Sequence, residues 1–286
     1  MSFKIITATE RMARGNDVKA VILGPPGIGK TSLLRTLDPK TTLYFDLEGG
    51  DLAVQDYPCD QMSPRTWQEC RNLACLIGGP DLSAKEGEPY SQAHYNAMLQ
   101  QNPDINFDKY KTIFIDSITD ASRLCRKWVV QTGRDLNAKG KKDGFAKFGA
   151  IADEMLDWFN RLQRTPNKDI IFVAIMDTKI DDFGRAEHGF QLEGAKAGKA
   201  LVGILDEVFT YDLIQFEGEE KPRRAFITHL DNPHGYIAKD RSGRLALYEE
   251  PHLGKLLTKI KTQPRQAINH DAAATTTNAQ KTGEAA

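Results

Sequence analysis

The sequence predicts an α/β fold with a mostly parallel central sheet, flanked by helices and ending in antiparallel strands at its C-terminal edge. Apolar, β-branched segments alternate with segments of helical period, and from Glu207 onward strand-like segments follow one another without helices. The predicted strands are Val18–Gly24, Thr42–Asp46, Thr112–Asp116, Ile170–Met176, Glu207–Ile214 and Ala225–Leu230.

Helices are predicted where apolar residues recur every three or four positions. In the longest of them, Ile151, Met155, Phe159 and Leu162 share one helical face. The predicted helices are Lys30–Thr36, Pro64–Ile77, Ile118–Gln131 and Phe145–Gln163, with a shorter one at Ser91–Leu99. The polar segments 78–109 and 178–200 are predicted to be long loops.

Composition indicates a globular protein with one domain. The 286 residues carry 38 basic and 39 acidic side chains, and 40% are hydrophobic, which excludes a wholly disordered chain, a collagen-like fibre and a coiled-coil rod. No signal peptide or membrane-spanning stretch is evident, so we expect a cytoplasmic protein with no membrane partner. We predict an N-terminal extension (1–16), a core (17–261) and a disordered tail (262–286). The four cysteines are irregularly spaced, which predicts reduced thiols.

The segment from Gly24 to Ser32 has the features of a phosphate-binding loop. It fits the pattern G-x-x-x-x-G-K-[ST] at every fixed position and lies between a predicted strand and a predicted helix. Glycines let successive backbone N–H groups point at phosphate oxygens. We therefore expect ATP to bind here, with Lys30 on the β- and γ-phosphates and the Thr31 hydroxyl on Mg²⁺. The predicted nucleotide contacts are Gly24, Pro25, Pro26, Gly27, Ile28, Gly29, Lys30, Thr31 and Ser32.

Two further predicted strands end in carboxylates that phosphoryl transfer needs. Asp116 ends one of them and is the expected second ligand of Mg²⁺, although an Asp at this place is otherwise typical of a helix cap. Asp46 and Glu48 end another strand before a pair of glycines. We predict Glu48 as the base that activates water, acting with Lys30 as the catalytic residues. Asp46 is either buried at the strand end or a further residue near the metal.

These three segments together resemble the ATPase core of RecA-type recombinases. Residues 44–49 (Tyr-Phe-Asp-Leu-Glu-Gly) resemble the context of that family's catalytic glutamate, and residues 113–117 resemble its magnesium strand. The chain is most similar to phage nucleotide-binding proteins of the Sak type, which share a motif similar to residues 235–245. The resemblance covers roughly residues 19–245. Where RecA has a polar Gln after the next core strand, this chain has Met176-Asp-Thr.

The resemblance implies a core-only RecA-like P-loop fold and a Mg²⁺-dependent ATPase that is stimulated by single-stranded DNA. It implies a role in single-strand annealing or homologous recombination, in the host cytoplasm if a phage encodes the protein. The implied partners are single-stranded DNA, further copies of the chain in a ring or filament, and a single-strand DNA-binding protein.

Basic residues cluster between positions 123 and 147, a segment that contains eight Lys or Arg and only two Asp. Single-strand binders combine cations with aromatic surfaces, and the first DNA loop of RecA-like proteins falls at this place. By the same resemblance, the segment 178–200 would correspond to the second DNA loop of that family. The alternative for this segment is a lid over the nucleotide. The alternative for the charge run is a solvated basic face. The predicted DNA contacts are Arg134, Lys139, Lys141, Lys142, Phe145, Lys179 and Arg185.

Cations near the C-terminal end of the core are candidates for a role across a subunit interface. RecA-like assemblies donate such cations to the γ-phosphate of a neighbouring subunit, and Lys239 and Arg241 are predicted to do so here. The alternative is a surface hairpin in which these cations form a salt bridge with Asp240. Two other functions stay open: a hexameric helicase-type motor, and a P-loop regulator or kinase that does not act on DNA.

Overall fold

A ten-stranded sheet forms the centre of the computed structural model, which describes residues 5–13 and 17–262. Across the sheet the order is β10-β8-β7-β1-β5-β4-β2-β3, while β6 pairs with β5 and β9 pairs with β7. The strands are β1 (Lys19–Gly24), β2 (Thr42–Asp46), β3 (Asp60–Met62), β4 (Thr112–Asp116), β5 (Asp169–Ile180), β6 (Ala186–Phe190), β7 (Glu207–Ile214), β8 (Arg223–Ile227), β9 (Lys239–Asp240) and β10 (Tyr248–Glu249).

The predicted mixture of parallel and antiparallel pairing is confirmed. All neighbouring strands are parallel in one part of the sheet, which has the order β7-β1-β5-β4-β2-β3. The pairs β7–β8, β8–β10, β7–β9 and β5–β6 are antiparallel. Strands β1, β2 and β4 are buried along their whole length, because helices or turns cover both faces of the sheet.

Helices cover the two faces of the sheet unequally. One face packs against α2, α4, α5 and α6, and the other against α7 and a 3₁₀ turn at Thr31–Thr36. Side chains of Thr66, Ser91, Ser117 and Asp143 cap the first turns of four helices, as their residue types favour. The helices are α1 (Ala8–Ala13), α2 (Trp67–Gly78), α3 (Gln92–Gln101), α4 (Ile118–Gln131), α5 (Gly144–Gln163), α6 (Ala195–Ile204) and α7 (Leu253–Thr262).

The segment 178–200 corrects the prediction of a long loop. Strand β5 continues to Ile180 and turns back as β6, so a β-hairpin extends beyond the sheet, and α6 follows it. Glycines within β6 and α6 conceal these elements in the sequence. The predicted helix at 30–36 is instead the 3₁₀ turn, and the last long predicted strand runs over Arg223–Ile227.

The remaining predictions about chain organisation have mixed outcomes. Helix α3 lies inside the segment 78–109, which packs on the core through Tyr90, Met98 and Phe107. All four cysteines are free thiols, and three of them are buried. Within residues 5–13 and 17–262, none of the helices has the length and apolar character needed to cross a membrane. The predicted tail lies outside the described residues except for Thr262, the last residue of α7.

Candidate active site

Strand register brings the three predicted motifs to one edge of the sheet. Asp46 at the end of β2 is in register with Asp116 at the end of β4, and Asp116 is in register with Val173 of β5. Gly24 at the end of β1 is in register with Ile175, two residues further along the same strand. Because parallel strands end at the same edge, the phosphate loop and both carboxylate segments follow neighbouring strand ends.

Glycines in the phosphate loop meet two separate geometric demands. A β-carbon at Gly24 would lie 2.4 Å from the carbonyl oxygen of Tyr211, so β1 and β7 approach too closely there for any side chain. Gly27 and Gly29 have φ angles of 75° and 100°, in the left-handed region that favours glycine. Ile28 between them is buried and anchors the loop in the core, while Pro26 and Ser32 are exposed.

The ammonium group of Lys30 lies inside the curl of this loop. Its Nζ donates to the carbonyl oxygens of Gly24 at 2.9 Å and Pro25 at 2.8 Å. Burial lowers the pKa of Lys30, and the nearby carboxylates of Asp116, Glu48 and Asp212 act in the opposite direction. These carboxylates favour the charged form of Lys30, which is the form that attracts anionic phosphates.

The Thr31 hydroxyl and the Asp116 carboxylate form the candidate metal site. Thr31 Oγ1 donates to Asp116 Oδ2 at 2.6 Å, although the two residues are far apart in sequence. Burial raises the pKa of Asp116 to about 6; the Thr31 hydrogen bond lowers it and the charge of Glu48 raises it. Mg²⁺ prefers oxygen ligands and is usually held by one or two carboxylates together with substrate phosphates. The residues present therefore fit Mg²⁺ bound together with a nucleotide.

The turn after β2 holds Glu48 at the same edge. Asp46 is buried, and its Oδ1 accepts the backbone N–H groups of Gly49 at 2.6 Å and Gly50 at 3.2 Å. Its Oδ2 is 3.5 Å from an Nη of Arg65. Asp46 thus shapes the turn, which agrees with the first of the two roles open to it. Glu48 is exposed at this turn, and its charge raises the pKa of Asp116.

Sequence reasoning missed Asp212 as a residue near the phosphate loop. Asp212 directly follows the β7 residue that approaches Gly24, and its carboxylate raises the pKa of Lys30. Tyr236 donates its hydroxyl to Asp212 Oδ2 at 2.6 Å, and the ring of His188 from the hairpin lies 4.6 Å from the Tyr236 ring. A carboxylate near the end of an apolar strand, as in Thr-Tyr-Asp at 210–212, is the signal that was available.

The basic residues after α4 differ in how they are held. Arg134 forms an ion pair with Glu154, and its guanidinium lies 5.2 Å from the ring centroid of Trp128, so its contacts join α4 to α5. A bridge between Leu136 and Lys142 closes a tight turn, within which Lys139 and Lys141 donate their backbone N–H groups to the Asn137 side chain. The side chains of Lys139, Lys141 and Lys142 are exposed, as is Phe145, at 95%.

The two predicted DNA contacts in the segment 178–200 lie on the β5–β6 hairpin. Lys179 pairs with Asp177 at 3.5 Å, and Arg185 pairs with Asp181 at 3.3 Å. Both cations are exposed, and Phe183 at the tip is 82% exposed, 5.2 Å from the Arg185 guanidinium. The hairpin therefore presents cations and an aromatic ring together, with neighbouring carboxylates that reduce its net charge.

Lys239 and Arg241 lie apart from the phosphate loop of their own chain. Lys239 pairs in register with Val208, which is level with the middle of β1, and its Nζ donates to the carbonyls of Val202 and Leu205 at the end of α6. Arg241 pairs with Asp206 at 2.6 Å. In this chain both cations hold the end of α6, and a role across a subunit interface stays a prediction.

This fold and this site define a P-loop protein whose loop and carboxylates fit a nucleotide with Mg²⁺. A strand carries the phosphate loop, a second strand presents Asp116 to Thr31, and a third leads into Glu48. The chain belongs to the family AAA_24, described as an AAA domain, whose model matches residues 16–242. No curated protein matches the chain.

Two solved structures give distant similarities. The first is an ATPase from the type III secretion system of pathogenic bacteria, 12% identical, with a TM-score of 0.37, over 68% of this chain and 51% of that one. This chain therefore matches about half the length of that protein. The second is a KaiC-like protein from the hyperthermophilic archaeon Pyrococcus horikoshii, 12% identical, with a TM-score of 0.35, over 73% of this chain and 77% of that one.

Proposed function

We propose that this protein is a Mg²⁺-dependent ATPase that binds single-stranded DNA as a homo-oligomer and promotes annealing or homologous recombination. The observation that carries the catalytic part is the Thr31–Asp116 contact beside the phosphate loop, with Glu48 on the adjoining turn. The RecA-type resemblance of the motifs supports the DNA part.

Each group at the edge has one task in the proposed reaction. Backbone N–H groups of the loop and the Lys30 ammonium bind the phosphates, and Thr31 with Asp116 hold Mg²⁺, which would neutralise charge on the phosphate oxygens. Glu48 accepts a proton from the water that attacks the γ-phosphorus, while the bond between that phosphorus and the β–γ bridging oxygen breaks to release ADP. Asp46 keeps Glu48 in place through the N–H groups of the turn.

Two exposed segments supply the proposed contacts to DNA. Lys139, Lys141 and Lys142 are free of carboxylate partners within the described residues, and Phe145 offers a ring for base stacking. Lys179, Arg185 and Phe183 on the hairpin are the second set. Arg134 is left out of the proposed surface because Glu154 and Trp128 already engage its guanidinium.

ATP acts mainly as an assembly switch in this proposal. Bound nucleotide completes an interface between copies of the chain, in a ring or filament, and hydrolysis releases it. Lys239 and Arg241 are the proposed cations across that interface, which requires Arg241 to exchange Asp206 for phosphate. A single-strand DNA-binding protein is the proposed further partner, and the proposed location is the cytoplasm, that of the host if a phage encodes the protein.

The test is ATP hydrolysis with and without single-stranded DNA across a salt series, using the wild type and a triple variant in which Lys139, Lys141 and Lys142 become Gln. We expect DNA to raise turnover in the wild type. In the triple variant the slope of log affinity for DNA against log salt should shrink by about 2, since each lost phosphate contact removes roughly 0.7. The matched control replaces Lys85 and Lys221, which are exposed lysines outside both segments, and should leave the slope unchanged.

Different outcomes separate the proposal from its alternatives. Turnover that ignores DNA, together with no DNA binding, would overturn the DNA part and favour a regulator or kinase. DNA-stimulated turnover with unwinding of a duplex, but no pairing of complementary strands, would favour a helicase-type motor. Pairing of complementary strands that depends on ATP is the result we expect.

A further inference from the structure

A cavity of about 630 Å³ adjoins the phosphate loop on the face of the sheet that α7 covers. Its lining includes Gly29 and Ser32 from the loop, Leu33 and Thr36 from the 3₁₀ turn, and Tyr211 and Arg224 from β7 and β8. The wall is therefore partly apolar, with backbone N–H groups at one end and a guanidinium beside them. Such a cavity suits a flat, polar-edged group that is joined to phosphates.

Arg224 lies directly against the phosphate loop. A β-carbon built at Gly29 would be 3.8 Å from Nε and 3.9 Å from Cζ of Arg224. Strand pairing fixes this position, because Arg224 is in register with Leu213 of β7, and β7 meets the loop where Tyr211 approaches Gly24. Lys30 reaches the start of the loop at Gly24 and Pro25, so two cations lie at opposite ends of the loop.

The neighbouring residue Arg223 also lines the cavity, but other side chains of this chain already engage its guanidinium. Its Nε lies 3.0 Å and 3.1 Å from the two carboxylate oxygens of Glu219, and its Cζ is 4.1 Å from the ring centroid of Phe216. Arg224, by contrast, forms no ion pair with a carboxylate within residues 5–13 and 17–262. A guanidinium that faces a phosphate loop without an acidic partner is available for an anion.

We propose that Arg224 is a nucleotide-binding residue that binds the α- and β-phosphates from β8 of the same chain, while the nucleoside occupies the cavity. This inference rests on the proposed function, since it requires a nucleotide on the loop. Loop N–H groups hold the α- and β-phosphates in proteins of this class, and the lysine reaches the β- and γ-phosphates. Arg224 lies beside Gly29 and away from the Lys30 ammonium, so the α- and β-phosphates are the ones within its reach.

The experiment measures dissociation constants for ATP and ADP, each with Mg²⁺ at one fixed salt concentration. The full chain is compared with Arg224→Gln, Arg224→Lys and the control Lys221→Gln, which removes a positive charge from an exposed residue outside the lining of the cavity. We expect Arg224→Gln to weaken both nucleotides by about tenfold, as the loss of a charge-assisted hydrogen bond does. Arg224→Lys should recover part of that loss, because it keeps the charge without the planar fork. Lys221→Gln should leave both affinities within about twofold of the wild type, the range of a substitution away from the ligand.

Four results would count against the inference in distinguishable ways. Unchanged affinity in Arg224→Gln overturns it, and weaker binding of ATP alone overturns the assignment to the α- and β-phosphates. An equal loss in Lys221→Gln assigns the effect to the lost charge and not to the position of Arg224, and a thermal melt without nucleotide checks that the fold of β8 is kept. If the wild type binds neither nucleotide, the proposed function itself fails. Failure of the inference alone would instead show only in the variants, with nucleotide binding by the wild type intact.

Discussion

Lys30 and Lys239 make nearly the same contacts in two regions with different roles. Each lysine donates from Nζ to two backbone carbonyls, at 2.9 and 2.8 Å for Lys30 and at 2.7 and 2.8 Å for Lys239. Burial is the largest cause of a lowered pKa in both. Asp116, Glu48 and Asp212 surround Lys30 with negative charge, whereas the positive charge of Arg241 is the next influence on Lys239.

The difference indicates that the backbone around each lysine, and not the contact itself, is the guide to its role. The carbonyls that Lys30 contacts belong to a glycine-rich loop, a type of loop whose N–H groups bind phosphate in other proteins. The carbonyls that Lys239 contacts belong to the end of α6, where a cation satisfies groups that the helix leaves unpaired. We therefore expect Lys30 to bind the ligand, whereas Lys239 within its own chain contacts the end of α6.

Nucleotide affinity should separate the two lysines most strongly. Lys30→Ala should weaken ATP binding by about 10- to 100-fold, because it removes a cation that contacts two phosphates. Lys239→Ala should leave the affinity of the isolated chain unchanged. Titration calorimetry with ATP and Mg²⁺ measures both, and an equal loss in the two variants would break the comparison.

Stability should separate the two lysines much less than nucleotide affinity does. Lys239→Met keeps the apolar stem but leaves the carbonyls of Val202 and Leu205 without their donor, so we expect a loss of about 1–3 kcal/mol in the free energy of unfolding. Lys30→Met should cost at least as much, because Lys30 and Gly24 are buried, whereas Lys239 is half-buried. Urea unfolding checks this pair, and a loss in Lys239→Met alone would contradict it.

A buried carboxyl next to Lys239 should give a smaller, pH-dependent effect. Burial raises the pKa of Glu207 to about 8, and the neighbouring Asp240 and Asp206 carboxylates act in the same direction, while the Ser242 N–H bond opposes them. The folded state therefore keeps a proton that the unfolded state loses, so stability falls as pH rises from about 5 to 8 and levels off above that.

The expected slope from Glu207 is at most about 1.4 kcal/mol per pH unit. Glu207→Gln should flatten the dependence of the unfolding free energy on pH across that window. Urea unfolding at several pH values between 5 and 8 measures it. Parallel pH curves for the wild type and Glu207→Gln would show that Glu207 is ionised throughout, against this account.

The sequence predicted the parallel core well because its strands are buried apolar runs that end in recognisable motifs. It missed β3 (Asp60–Met62), which is short and polar, and α6, whose glycines resemble a loop. Helix α7 was missed although Leu253, Leu256, Leu257 and Ile260 show helical spacing. Tertiary packing against the 3₁₀ turn fixes α7, and no local signal gives that contact.

The candidate site was predictable where chemistry is local and unpredictable where strand pairing creates it. The loop, Asp116 and Glu48 each carry a local motif, and the register of β2 and β4 brings two of these motifs together. Arg224 and Asp212 approach the loop only because β7 and β8 lie next to β1. The partners of Arg134, Lys239 and Arg241 come from other elements, so their charge alone did not reveal their contacts.

The most direct test of the central claim compares ATP binding and ATP hydrolysis in Glu48→Gln. The account predicts that this variant binds ATP with Mg²⁺ about as tightly as the wild type, while turnover falls by about 10²- to 10⁴-fold, since the substitution removes the base and keeps the shape. Turnover at the wild-type rate with binding intact would contradict the assignment of Glu48 as the group that activates water.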